Sequence, residues 1–272
     1  MRRFRKRCFS EGARCLTRIG LEDISEILAA REAACERDVG DAGVAFDQLF
    51  ACRFDSNAIK EAHRAVAHEF FSESEVAAIQ AEVERLKTEG HNVATLADGE
   101  TPSGAAVNLQ IIPLGPKSEL LRTLPFLKKV RAVITQLIGD DALLQLDQVF
   151  VKPPRHGSGT SWHQGNACFG IPNPTQGVGM WVAVHDANVA NGTMHVVPRS
   201  HREALTHTRD TGSDHHICCQ IDETIHEVVP VEMKAGGALF FNYGVAHCTL
   251  ANNTGKERAG MALHFLKGAY RD

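Results

Sequence analysis

The run Gly237-Ala-Leu-Phe-Phe-Asn242, followed by Cys248-Thr-Leu-Ala251 and Arg258-Ala-Gly-Met-Ala-Leu-His-Phe265, decides the fold class. These are short apolar stretches with Gly and Asn punctuation around them, the pattern of strands joined by tight connections. The same pattern recurs upstream at Leu144–Val151, Gly179–His185, Thr193–Val197 and His226–Val231. Many short strands with turn signals between them predict a sandwich or barrel. Ahead of Asp140 the periodicity is helical. Leu21–Arg37 has apolar positions at helical spacing. Ser72-Glu-Ser-Glu75 reads as a capping box opening a helix through about Leu86, with Val76, Ile79, Val83 and Leu86 on one face and Gly90 as its stop. Leu121–Leu137 reads as another helix, begun near Pro125 and ended by Gly139. The expectation is a mainly β protein with an α-helical N-terminal half. A helical extension would cover 1–60 and a domain 61–272, with jelly-roll strands mainly in 144–267 braced by helices from outside.

Composition narrows the function classes. A net charge of -4 over 272 residues lacks the basic excess of a general nucleic-acid binder. No apolar run approaches membrane-spanning length. The basic start Met1–Arg7 is followed by no apolar segment with a cleavage site, so it reads as a solvated tail and the expected compartment is the cytoplasm. The eight cysteines include no CxxC pair, and Cys218 and Cys219 are adjacent, which disfavours a zinc site or a disulfide framework.

The chemistry lies in an ordered set of segments. Leu146-Asp-Gln-Val-Phe-Val-Lys-Pro-Pro154 runs into Thr160-Ser-Trp-His-Gln-Gly165. Trp181, Asn191-Gly-Thr-Met-His-Val-Val-Pro-Arg-Ser-His201, Gly236-Gly-Ala-Leu-Phe240 and His247 through Arg258 follow. In this order they resemble the phytanoyl-CoA dioxygenase family, and Glu69-Phe-Phe-Ser-Glu-Ser-Glu-Val76 resembles its opening helix, so the likeness covers roughly 69–267. The resemblance implies a double-stranded β-helix and an Fe(II)- and 2-oxoglutarate-dependent oxidation using O2. It implies His163 and His247 as the two iron-binding histidines of a two-histidine, one-carboxylate site. It implies Arg258 on the distal carboxylate of 2-oxoglutarate, assisted by Thr249, with Trp181 and Gln148 beside the cosubstrate. Asn252-Asn-Thr-Gly255 reads as a hairpin turn that would return Arg258 beside His247 on neighbouring antiparallel strands.

One position departs from the family pattern. Gly165 stands where the resemblance calls for an aspartate, and glycine offers no ligand atom. Three readings follow. Chloride fills the vacancy, as in the halogenases of this chemistry, and chlorine is delivered to an unactivated aliphatic carbon, with Asn166 offering the halide a hydrogen bond. Alternatively, the protein hydroxylates with an atypical two-histidine site, or with another carboxylate such as Asp186. In the third reading it binds without catalysis. The retention of His163, His247, Thr249 and Arg258 together favours the first. For the substrate, Arg199 (where the family usually has Gly), His195 and His185 are candidates to face the pocket. They point to a small anionic metabolite, a nucleotide first, with a carrier-protein-tethered substrate as runner-up because no concentrated basic docking patch is visible.

Overall fold

The computed structural model describes residues 64–95, 108–155, 157–209 and 217–270. The extension expected over 1–60, including the helix expected at Leu21–Arg37, lies outside the described residues. The described chain begins with β1 (Arg64–Ala67) and α1 (Glu73–Thr88), then β2 (Val93–Thr95) and β3 (Asn108–Ile111). Two helices follow, α2 (Glu119–Thr123) and α3 (Lys128–Ile138), before β4 (Ala142–Lys152) and β5 (Thr160–Gln164). After the one-turn α4 (Asn166–Phe169) come β6 (Gly177–Ala183), β7 (Met194–Val196), β8 (Thr208–Arg209), β9 (Ile217–Cys218), β10 (Val229–Val231), β11 (Ala238–Asn242), β12 (Ala246–Thr249) and β13 (Arg258–Lys267).

Helix α1 forms as the sequence dictates. Ser72 Oγ accepts from Glu75 N, and Glu75 Oε2 accepts from Ser72 N at 2.8 Å, which closes the capping box. Ile79, Val83 and Leu86 are buried along one face, while Val76 is half-buried. The next helix differs from expectation. Instead of one helix over 121–137, Pro125 sits in a 3-10 turn, Leu124–Phe126, that separates α2 from α3. Proline lacks the N–H that would continue the α ladder, so it marks a break between two helices rather than the start of one. Gly139 closes α3 at φ 99°, where a side chain would be strained.

All strand pairings among the described residues are antiparallel. A seven-stranded sheet has the order β1-β11-β6-β13-β4-β3-β2, and a four-stranded sheet the order β10-β7-β12-β5. Strands β1, β2 and β3 come from the part of the chain expected to be helical and supply three members of the larger sheet. On one face of that sheet, Val149, Val151, Met180, Val182, Met261, Leu263 and Phe265 are almost fully buried, and α3 packs there with Val130, Val133, Ile134 and Ile138. Each such side chain contributes about 1.5–3 kcal/mol of burial. On the opposite face, Trp181, Leu239 and Phe241 share a core with Met194, Val196 and Val231 of the smaller sheet. The two sheets therefore face each other, and α3 braces the outer side of the larger one. Among the described residues, no helix is long and apolar enough to cross a membrane.

The hairpin expected at Asn252–Gly255 is not formed. Strand β12 pairs with β5 and β7, while β13 pairs with β4 and β6, so the segment between them crosses from one sheet to the other. Asn252 holds this crossing. Its buried amide donates to the carbonyls of Lys152, Pro153 and Lys256, and its Oδ1 accepts from Thr254 N and Oγ1.

Candidate active site

His163 and His247 are Cα partners across β5 and β12, and their ring centroids lie 4.2 Å apart. In both, Nδ1 bonds the carbonyl two residues earlier in the chain, Ser161 O and Val245 O, each at 2.9 Å. A carbonyl only accepts, so each Nδ1 carries the proton and each lone pair lies on Nε2, the tautomer suited to a metal. Burial, and His163 next to it, hold the His247 imidazole well below its usual proton affinity. The His247 ring thus favours the neutral form that ligates.

Alternation along the strands decides what shares their face. Thr249 pairs with Thr160 and Met194, and His247 with Val196, so all of these lie with the histidine pair. His195 pairs with Cys248 and projects from the opposite face. The expectation that His195 faces the pocket is corrected by this register. His185 is engaged with the backbone instead. Its Nδ1 accepts the Ala259 amide at 3.0 Å, and burial lowers its proton affinity. Arg199 is exposed and stands in a left-handed turn at φ 66°, a conformation glycine adopts without strain. Asp186 is held by Lys234 Nζ at 2.8 Å and Ala235 N at 2.9 Å with a half-exposed side chain, so it is committed away from the histidines. Among the described residues, no group of three His, Cys, Asp or Glu side chains is arranged to hold a metal.

Gly165 follows the outward-facing Gln164. The Gln164 Nε2 donates to Ser200 O (3.2 Å), Glu203 O (2.7 Å) and Gly244 O (2.7 Å), its Oε1 accepts from Leu205 N, and its amide donates to His207 Nε2. Gly165 itself has ordinary αR geometry, φ -54° and ψ -30°. A Cβ built on it would meet nothing nearer than Tyr243 atoms at 3.7 Å. Neither backbone nor space requires glycine here. Asn166 does not serve as expected. Its Nδ2 donates to Ile171 O and its Oδ1 accepts from Ile171 N, so its amide closes a local loop and is not offered to a ligand.

Arg258 is 1% exposed. Its guanidinium donates to Asn191 O at 3.4 Å and to Gly192 O, and lies 5.6 Å from the Trp181 ring. Trp181 is set by Gly260, where a Cβ would come within 2.7 Å of the indole. Opposite Arg258 on β4 stands Lys152, its Cα partner, so the two side chains leave the sheet on the same side. Lys152 is also buried, and its Nζ donates to Thr249 Oγ1 at 2.9 Å. Gln148 lies on that face four residues earlier, its Oε1 taking a bond from Gln110 at 2.7 Å. Burial lowers the Arg258 pKa to about 10, and burial followed by Arg258 pushes Lys152 well below the usual lysine range. Neither cation forms an ion pair with a carboxylate among the described residues.

Two residues of this site escape a reading of the sequence. Lys152 has a signal there, a lone cation ending an apolar strand before Pro153-Pro154. His264 has one too: it lies six residues after Arg258 and so, by alternation, on its face. Its pKa is lowered to about 4 by burial and by His163, which places it electrostatically with the histidine pair.

Comparison with known proteins agrees with this geometry. Residues 64–260 match the sequence profile of the phytanoyl-CoA dioxygenase (PhyH) family. A phytanoyl-CoA dioxygenase of Arabidopsis thaliana is 29% identical over 119 residues, 43% of this chain and 41% of that protein. The chain therefore aligns with less than half of that relative's length. An ectoine dioxygenase of Bordetella parapertussis is 24% identical over 209 residues, 70% of this chain and 67% of its own. Among solved structures, the non-heme α-ketoglutarate-dependent epimerase SnoN of nogalamycin biosynthesis has a TM-score of 0.66 at 22% identity, covering 78% of this chain and 81% of SnoN. EctD from S. alaskensis with 2-oxoglutarate and 5-hydroxyectoine has a TM-score of 0.63 at 19% identity, covering 79% and 76%. With the profile spanning most of its length, the chain belongs to the phytanoyl-CoA dioxygenase family.

Proposed function

We propose that the protein is an Fe(II)- and 2-oxoglutarate-dependent oxidoreductase whose iron is held by His163 and His247 alone among its side chains, with halide transfer to an aliphatic carbon as its reaction. The facing sheets are taken as the halves of a double-stranded β-helix, with the site between them. The donor set fits iron: two neutral imidazoles, register partners, with Nε2 lone pairs on one face. The pocket fits 2-oxoglutarate: two buried cations, a hydroxyl and an indole, with no internal carboxylate among the described residues to quench them. Iron with 2-oxoglutarate and O2 supplies oxidation of an unactivated C–H bond.

The chain's own residues then have definite roles. Arg258 and Thr249 grip the distal carboxylate and fix the direction in which the dicarboxylate lies. Trp181 packs against the guanidinium and excludes water. The carbonyls of Ser161 and Val245 hold the ring tautomers. Gly165 leaves a coordination position without a protein ligand. The observation that carries the halide reading is that glycine there is demanded by neither backbone strain nor crowding. The commitment of Asn166 to Ile171 removes the expected halide donor and favours the second reading, hydroxylation by the same two-histidine site. The substrate is a small molecule. The nucleotide expectation stands as one arm of the test, and the exposed Arg199 adds nothing to it.

The test incubates the protein with Fe(II), 2-oxoglutarate and a metabolite pool including nucleotides, with and without chloride. Mass spectrometry follows succinate, the chlorine isotope pattern and oxygenated products. Chlorinated product that requires chloride supports halide transfer. Equal hydroxylation with and without chloride supports the second reading. No succinate above background across the panel overturns both.

A further inference from the structure

Lys152 is the largest commitment of charge in the site that the family reading does not use. Its Nζ donates to Ser158 O at 2.7 Å, to Thr249 Oγ1 at 2.9 Å and to Leu250 O. With Nζ as an ammonium, its three protons match these three acceptors, and Thr249 Oγ1 then accepts from it. Thr249 Oγ1 lies 2.8 Å from Thr160 Oγ1, and Thr160 Oγ1 accepts from Thr249 N at 3.1 Å. The two hydroxyls have two protons between them. One lies in the bond joining them, and the other has to be given elsewhere. Lys152 and Arg258 are direct cross-strand partners of like charge, a costly arrangement in a dry site unless an anion answers it.

Resting on the reading of Arg258 and Thr249 as the carboxylate grip, we infer that Lys152 is a positioning residue for that carboxylate: it holds the Thr249–Thr160 hydroxyl pair so that one O–H is presented to the anion, and its charge is balanced when the anion is bound. No bond is made or broken in this role. The outward O–H and the guanidinium together fit a carboxylate at the far end of a dicarboxylate, and not a neutral group of the same size.

The test is calorimetric binding of two oxoacids to the whole protein loaded with Mn(II). 2-Oxoglutarate carries the distal carboxylate, and 2-oxobutanoate lacks it. Lys152→Met should weaken 2-oxoglutarate about tenfold or more and leave 2-oxobutanoate unchanged. Lys152→Arg should recover part of the loss. Thr249→Val should show the same selective loss, and adding Lys152→Met to it should cost little more, because the two act through one hydrogen bond. Equal weakening of both acids by Lys152→Met would mark a scaffold role and overturn the inference, as would full additivity with Thr249→Val. Should Lys152→Met fail to fold, Thr249→Val and Lys152→Arg decide it: a selective loss supports the inference, and an unselective or absent one overturns it. The underlying reading fails separately, if Arg258→Ala leaves the preference for 2-oxoglutarate over 2-oxobutanoate unchanged.

Discussion

A Cβ on Gly165 would touch Tyr243 at 3.7 Å, through its Cα, Cδ1 and carbonyl oxygen, at ordinary van der Waals distance. Elsewhere in the molecule glycine is compulsory: a Cβ on Gly177 would strike the Tyr243 ring, and one on Gly192 the Leu250 carbonyl. Gly165→Ala should therefore fold, with stability within about 1 kcal/mol of the parent. Thermal denaturation checks this. On the proposed halide reading, Gly165→Asp should end chlorination, because the carboxylate would occupy the halide's position. Persistent chlorination by that variant would mean the halide binds elsewhere.

Arg258→Ala should raise the 2-oxoglutarate requirement by about 2–5 kcal/mol of lost binding. Arg258→Lys should recover only part, since lysine lacks the planar fork. Both variants also leave the Asn191 and Gly192 carbonyls short of a donor. Binding must therefore be compared at a temperature where circular dichroism shows each variant folded.

His264 should make the metal-free protein acid-sensitive. Its folded pKa of about 4 lies below the ordinary imidazole value near 6.5. The unfolded chain therefore takes up a proton at a pH where the folded one does not. Above about pH 6.5 neither state is protonated there and stability is flat with respect to this group. As pH falls from about 6.5 towards 4, stability is lost, and below 4 the loss levels off. His264→Gln should reduce the slope in that window, the remainder coming from His247 and His185, whose proton affinities burial also lowers. Chemical denaturation at several pH values reads it, and an unchanged slope would show that His264 is not the group responsible.

Asn252→Ala should be among the most damaging changes outside the candidate active site. It removes three donations to carbonyls and the acceptor for Thr254. Each buried group left unpaired costs about 1–3 kcal/mol. Because the same side chain holds the crossing that delivers Arg258, 2-oxoglutarate affinity should fall along with stability. Asn252→Asp should fare no better, since a carboxylate cannot donate to three carbonyls.

Much of the site is legible in the sequence because its residues are of rare chemical type in a fixed order. His163 and His247 are register partners, Thr249 shares their face, and Trp181 lies beside Arg258. The strands 142–152, 238–242 and 258–267 are visible from apolar runs between turn residues. What escapes is three-dimensional. Strands β1, β2 and β3 are only three or four residues long, too short to carry a period. Asn252-Asn-Thr-Gly255 has hairpin composition, yet the next strand joins the other sheet, a choice made by long-range pairing that turn residues do not encode. His195 is displaced from its expected side by one step of alternation, since facing depends on register, and register here is set by Cys248 and Pro230 across the neighbouring strands. Asn166 has the right atoms for an anion, but the backbone of Ile171 is nearer and takes both of them.

Gln164 gives the metal pair a foundation outside the pocket. The residue between His163 and Gly165 is pinned from behind by Ser200, Glu203, Leu205 and Gly244, all on the side of β5 away from the histidine rings. The surface loop at 200–205 is therefore mechanically joined to the strand that aims His163. Changes in that loop would alter the angle of the His163 imidazole in the proposed iron site while leaving every pocket-lining side chain untouched. Drift in reaction outcome among variants should then be sought on the solvent side of β5 as well as within the cavity.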